Sequence, residues 1–259
     1  MSFACITDST CALTAQYDHI TQVALSVSDD GNPTTSQPPV SAIVQAYEDA
    51  AAAGARSIVA PVLSGNISGT VAAFTTAAAS SPIPVDVIDT RTAGGALGLV
   101  ALVAAEAENA ARAGALAREM SAKSFTGIVV GDVKTLVRGG RLNASKATMA
   151  AALGITPLIE VRNGRLQLRE TARGKKRARA RLIARAKSHV VGSAKIPNRT
   201  GQVIDLMVHC APDDPFADQV AQAFADIPIR RHIVAPLPAV LTAHTGEAYW
   251  AIALAPALS

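Results

Sequence analysis

Hydroxyl side chains gather in two short loops of this chain, and a histidine sits in a third. The stretch "LSGNISGT", Leu63 to Thr70, places Ser64, Ser68 and Thr70 between a β-branched apolar run and an Ala-rich segment. "NPTTSQPPV" carries Thr34, Thr35 and Ser36 on a Pro-stiffened turn, and "VLTAHTGEA" sets His244 between two threonines. These residue types support three chemistries. A serine activated by His244 and Asp8 would attack a carbonyl. Free amides at a helix start, helped by hydroxyls, would hold an anion. Or Ser68 simply caps the helix by accepting from its first-turn amides.

The hydrolase elbow requires Gly-x-Ser-x-Gly on a strained strand-to-helix turn. Here the string is Gly65-Asn66-Ile67-Ser68-Gly69, with the serine one place late. The order Asp8, Ser68, His244 also departs from the Ser, Asp, His order of that fold. Triads occur in several orders, so a serine hydrolase using Ser68 and His244 stays as an alternative. No Gly-x-x-x-x-Gly-Lys-Ser/Thr occurs, and no Gly-x-Gly-x-x-Gly follows a strand. Gly94-Gly95-Ala96-Leu97-Gly98 reads instead as close helix packing. With no Lys or Arg in the Ser64–Thr70 loop, a bound anion is a carboxylate held by neutral donors, or a phosphate. All three polar segments follow apolar strands, where open α/β sheets place their ligand sites.

The elements that would position these groups follow from periodicity. "FACIT" and "QVALSVS" read as strands, and "DDGNPTTSQPPV" reads as loop. A helix spans Val40 to Ala53 and stops at Gly54. Then come a strand at Ser57–Val62, a helix at Ser68–Ala79, a strand at Val85–Asp89 and one long helix from Thr92 to Ala113. This alternation implies an α/β layer with a mainly parallel sheet. The second half opens with a short helix and a strand at Phe125–Gly131, followed by a helix ending at Gly154. In "ITPLIEVRNGRLQLRE", Asn163-Gly164 is a type I′ turn pair between alternating apolar residues, so it forms a hairpin. A basic helix from Arg173 to about His189, a strand "QVIDLMVHCA", a helix at Asp213–Ala225 and a last strand "AYWAIALAP" complete a more mixed half. The division falls at 1–122 and 123–259.

The 259 residues allow one large or two modest domains. No apolar run approaches the roughly 18 residues of a membrane span. "MSFACITDST" lacks the basic and apolar regions of a signal peptide. Cys5, Cys11 and Cys210 show neither a disulfide framework nor metal-ligand spacing, so a reducing cytoplasm is the expected home. The formal charge of +4 is uneven. Between Arg169 and Lys187 stand Arg173, Lys175, Lys176, Arg177, Arg179, Arg181 and Arg185, against Glu170 alone. Arg173, Arg177, Arg181 and Arg185 form one stripe at i, i+4 spacing, with Ala178, Leu182 and Ala186 on another face. Such a stripe is a solvated face, a track for nucleic-acid phosphates, or a dock for an acidic protein or an anionic membrane surface. No aromatic residue is interleaved, which disfavours nucleic acid.

The ordered set "ITDST", "TSQPP", "LSGNISGT", "VIDTRTAGGALGL", "LVRGGRLNASKA", "RETARGKKRA" and "AHTGEA" resembles the DegV family over essentially the whole chain. The resemblance implies a two-domain α/β fold that buries a long-chain fatty acid and has no catalytic residue, cofactor or metal of its own. It also implies a separate ATP-binding fatty acid kinase subunit that phosphorylates the bound carboxylate. By motif, Thr35 and Ser68 contact the carboxylate, and His244 completes the polar end. Ser64, Gly69, Thr70, Arg141, Thr245 and Gly246 belong to the pocket or its rim, and Arg173 and Arg177 to kinase docking. The chain departs from the family in a shorter interval between "TDST" and "TSQP". It also has Glu247, Tyr249 and Trp250 after "HTG", which would stand near the ligand head. A neutral-donor site suffices for such a ligand: burying about a dozen methylenes is worth on the order of 10 kcal/mol gross, against several for association.

Overall fold

The computed structural model describes residues 3–14, 17, 19–28, 34–131, 133–142, 155–191, 203–245 and 248–258; the side chains of 26–28, 34, 35, 244, 248 and 249 lie outside that description. In chain order the first half holds β1 (Ala4–Asp8), a 3-10 turn (Ser9–Cys11), β2 (Ile20–Val23), β3 (Ser26–Ser28), β4 (Thr34–Ser36) and α1 (Val40–Ala52). Then follow β5 (Ile58–Val62), α2 (Thr70–Ala78), β6 (Val85–Asp89), α3 (Gly95–Ala105) and α4 (Ala110–Lys123). The second half holds β7 (Phe125–Val130), α5 (Lys134–Arg138), β8 (Thr156–Arg162), β9 (Arg165–Ala172) and α6 (Lys175–Val191). It ends with β10 (Ile204–His209), α7 (Phe216–Ala223), β11 (Ile229–Ala235), α8 (Ala239–Thr245) and β12 (Ala248–Pro256).

Two sheets result. The first is parallel, in the order β2-β1-β5-β6. Its strand β5 is buried at every position, as a continuous apolar run in a covered parallel sheet must be. The second has six strands in the order β11-β10-β12-β7-β8-β9 and is mixed: β10 and β11 run parallel, and the other pairs run antiparallel. The expected α/β class, parallel in the first half and mixed in the second, is what the chain adopts.

The layers follow from which faces are apolar. α1 and α2 cover one side of the parallel sheet through Ile43, Tyr47 and Phe74. All 11 residues of α3 are buried. A helix with no polar face must be covered on every side, and α3 lies between the two sheets. It packs on Val59 and Leu63 of the first half and on Met207, Ala253 and Ala255 of the second. β12 explains how the second sheet approaches so closely. Its alternation puts Ala251, Ala253 and Ala255 on the inner face, while Trp250, Ile252 and Leu254 point outward against α6 and α7. Small residues inside and large ones outside are a period-2 strand pattern read by two different neighbours.

Several expectations from the sequence are corrected. The segment read wholly as loop contains β4, which pairs antiparallel with β3, Thr35 opposite Val27. The long helix expected over Thr92–Ala113 ends at Ala105, and the next helix, α4, runs through the expected stop at Gly114 to Lys123. Asn109 caps α4, its Oδ1 accepting from the Arg112 amide at 2.9 Å, and so moves the break between the two helices ahead of Ala110. The apolar run before His244 is helix α8, not a strand. β11, an edge strand with alternating burial, was not anticipated. The hairpin is as expected, with φ of 50° at Asn163 and 75° at Gly164, the signature of a type I′ turn. The helix expected to end at Gly154 lies outside the described residues.

Candidate functional site: an apolar cavity between the sheets

The C-terminal ends of β1, β5 and β6 and the start of α3 open onto the inner face of the second sheet, and a cavity lies where they meet. Leu63 and Ile67 come from the loop after β5, and Ile128 and Ala251 from β7 and β12. Val161 and Leu166 come from the β8–β9 hairpin, and Leu237 and Leu241 from α8 and the segment before it. The polar groups on this wall are few: Thr10, Ser68, Thr126, Arg141, His209 and Thr245. At the start of α3, Gly94 holds φ 63° and ψ −140°, a conformation that only glycine adopts readily, and turns the chain from β6 into the helix.

The loops that form the cavity's mouth are braced by buried polar contacts. The Asp8 carboxylate is fully buried; its Oδ1 accepts from the Thr10 amide and hydroxyl, and its Oδ2 from the Leu63 amide at 2.8 Å. Burial raises its pKa, and these hydrogen bonds oppose the rise. Both oxygens are thus engaged in tying the β1 turn to the end of β5, which removes Asp8 from the triad considered above. Ser64 is also fully buried; its hydroxyl donates to the Gly164 carbonyl at 2.8 Å. Asn66 Nδ2 and Arg91 Nη2 donate to the Asn163 carbonyl at 3.3 and 3.2 Å. Ser64 therefore clasps the hairpin turn and does not line the cavity. Across the junction, Thr126 Oγ1 donates to the Ala93 carbonyl and Thr92 Oγ1 lies 3.2 Å from it.

Ser68 is half-buried on the cavity wall, its Oγ 2.9 Å from Thr70 Oγ1. It does not cap α2: the helix starts two residues later, Gly69 holds the N-cap position, and no side chain caps it. The free amides of that first turn remain beside two hydroxyls. A Cβ on exposed Gly69 would stand 2.1 Å from Gln37 Oε1, so the "TSQPP" and "SGT" segments touch. α8 packs against β3, β4 and the turn after β1. The fold thus brings three separated segments to one place: Thr35 on β4, Ser68 before α2 and Thr70 at its first position, and His244 and Thr245 on α8. The side chains of Thr35 and His244, and Gly246, lie outside the described residues. Arg141 and Thr245 both line the cavity, and Thr245 Oγ1 donates to the Leu241 carbonyl at 3.1 Å.

Trp250 is not near this mouth. It is buried on the outer face of β12, where its Nε1 donates to Asp214 at 2.8 Å and Arg179 stacks 5.3 Å from its ring. Strand alternation alone sends it there; Glu247 and the Tyr249 side chain lie outside the described residues. All three cysteines are free and buried. Burial pushes the Cys5 and Cys11 thiols up to about 12, so they are protonated at neutral pH.

Sequence reading missed His209, at the end of β10. It is 1% exposed and lines the cavity. The signal was available in "DLMVHCA", whose alternation places Met207 and His209 on the same inward face.

The basic cluster of α6 is partly neutralised. Arg185 pairs with Glu160 and Glu170, Arg181 with Glu170, Arg179 with Asp214 and Lys187 with Asp226. Arg173, Lys176 and Arg177 are exposed at the start of α6 and have no ion pair among the described residues.

A family model described as "Uncharacterised protein, DegV family" matches residues 28–257. The chain belongs to the DegV family. A DegV domain-containing protein of Streptomyces coelicolor is 34% identical over 225 residues, which cover 82% of this chain and 75% of the relative. One from Mycobacterium tuberculosis is 30% identical, covering 94% of this chain and 91% of its own. Among solved structures, a fatty-acid-binding DegV family protein from Thermus thermophilus aligns with a TM-score of 0.85 at 24% identity, over 99% of this chain and 100% of that one. A stearic-acid-binding protein from Eubacterium ventriosum aligns with a TM-score of 0.83 at 19% identity, over 98% of both chains. At those identities the structural likeness is one of fold. No helix of the described residues is long and apolar enough to cross a membrane.

Proposed function

We propose that this chain binds a long-chain fatty acid in the cavity between its sheets and presents the carboxylate to a separate ATP-binding kinase subunit, without catalysing the transfer itself. The observation that carries the reading is the cavity's make-up: an apolar wall drawn from both sheets, with hydroxyl-bearing loops meeting at its mouth. Fold relatives bind fatty acid and stearic acid, which supports the same ligand class here. In this reading the halves 1–122 and 123–259 each supply one wall. Thr35 and Ser68 hold the carboxylate and His244 supports them. Gly69, Thr70, Arg141, Thr245 and Gly246 shape the rim, and Ser64 keeps the hairpin wall in place. Arg173 and Arg177 dock the kinase. Holding the carboxylate with neutral donors leaves it more nucleophilic towards a phosphoryl group than an Arg clamp would.

The test is mass spectrometry of lipid extracted from the denatured protein, wild type and Ser68→Ala. A stoichiometric fatty acid in the wild type is the expected result. Since the tail supplies most of the affinity, Ser68→Ala retains most of the lipid. A chain that emerges empty and takes up neither palmitate nor oleate overturns the reading.

A further inference from the structure

His209 Nδ1 lies 3.2 Å from the carbonyl oxygen of Ala235. A carbonyl only accepts, so Nδ1 carries the ring proton and the neutral imidazole presents a bare lone pair at Nε2. Burial holds the imidazole's pKa down at about 4, so this tautomer persists through the neutral range. Nε2 is buried and has no hydrogen-bond partner among the described residues. It lies against the first turn of α3, where a Cβ on Gly95 would stand 2.8 Å from it and 2.9–3.0 Å from the apolar Ala253 and Met207. A plain hydrocarbon chain in this cavity would leave that acceptor unpaired and dry, the costly condition for a buried polar atom.

We propose that the cavity is built for an acyl chain bearing a hydroxyl group, whose O–H donates to His209 Nε2. The inference rests on the fatty-acid reading and narrows its ligand class. A carboxylate has no hydrogen to offer Nε2, so the head group belongs at the hydroxyl-rich mouth and a second polar group meets His209. Oxo and ether groups, which only accept, fail for the same reason. Gly95 is part of the device: a Cβ there would press on the imidazole at 2.8 Å, closer than side-chain carbons normally come.

The experiment uses the full-length chain, stripped of lipid, and competitive displacement of a fluorescent fatty acid. Stearic acid is compared with a set of monohydroxystearic acids that differ in the hydroxyl's position. The expected result is about fivefold tighter binding for one position than for the others, a net gain typical of one buried hydrogen bond, with that preference collapsing in His209→Phe. Nitrogen-15 NMR of histidine-labelled wild type supplies a readout that does not depend on the variant's folding: the Nε2 resonance moves when the preferred hydroxy acid binds and stays put with stearic acid. Affinity independent of hydroxyl position overturns the inference while leaving the fatty-acid reading intact. So does an Nε2 resonance already shifted in the unliganded chain and unmoved by any ligand, the mark of a resident water. Failure of every acid to bind, stearic acid included, overturns the fatty-acid reading and this inference together.

Discussion

Helices α3 and α6 both pack on the second sheet, yet they answer to opposite constraints. α3 has 11 residues, all buried, with no charge along its length. α6 has 17 residues, of which Ala178, Leu182, Ala186 and Val190 are buried, while its other faces carry arginine and lysine. α3 is pressed between two sheets and begins at the cavity; α6 has one sheet beneath it and solvent above. The difference shows where this chain can change. Substitutions on α3 are felt by both halves and by the cavity at once, whereas α6 answers only through its buried stripe and its ion pairs.

The sharpest way to break the contrast is Gly98→Ala. A Cβ there would sit 2.3 Å from the Cys11 carbonyl oxygen, a backbone atom held in the turn after β1. Alanine normally favours a helix interior over glycine by roughly 0.5–1 kcal/mol. The clash outweighs that gain, so the expected outcome is a net loss of about 3 kcal/mol, measured by urea unfolding.

A second prediction sharpens what the N-terminus of α3 tolerates. His209 faces that positive helix end, and its pKa is lowered from 6.5 to about 4. Between those values the unfolded chain binds the proton and the folded chain does not, so stability rises with pH across the window. It is complete above about pH 6.5 and is lost as the pH falls towards 4. The loss amounts to at most about 3 kcal/mol. Urea unfolding from pH 7 to 4 checks this, and His209→Phe should flatten the part of the slope that wild type shows in excess.

On α6 the corresponding weak point is Arg185. It spans Glu160, only 3% exposed, and Glu170 at 3.0 Å. Arg185→Met leaves Glu160 with Arg169 alone at 3.4 Å. A fully buried pair broken in this way costs about 3–5 kcal/mol; because Arg185 is partly exposed and Arg169 remains, about 1–2 kcal/mol is expected. Arg185→Lys recovering part of that loss would assign the effect to charge rather than packing.

The same contrast explains how much of the molecule was legible beforehand. Local signals served well where the answer was local: Asn163-Gly164 fixed a hairpin, and the alternating strands and helices fixed an α/β class. The failures lay where a long-range partner decides. The Thr34–Ser36 strand exists because β3 pairs with it, and Pro and Gly around it gave no hint of a partner. Ser68 had the right type for a cap, but the helix begins two residues on and leaves the hydroxyl beside Thr70. Trp250 sat close to His244 in sequence, and strand alternation carried it to the opposite face. The segments of the candidate site were visible as motifs. Their convergence was not, because β7, β10 and β12 come together only through antiparallel pairing between the two ends of the second half. The apolar wall and His209 enter through that pairing.

The smallest expected effect on stability tests the exposed end of α6. Arg173 and Arg177 stand in solvent with no ion pair among the described residues, so reversing both to Glu should move unfolding free energy by no more than about 0.5 kcal/mol each. Lipid content should also be unchanged, since neither residue lines the cavity. If these arginines dock a kinase subunit, acyl phosphate formation with that subunit should fall at least tenfold at limiting concentration, with the loss growing smaller as salt rises and screens the wild-type attraction. Unaltered acyl phosphate formation in the double reversal would move the dock elsewhere and leave Arg173 and Arg177 as a solvated face, unlike the α6 cations tied to Glu160, Glu170, Asp214 and Asp226.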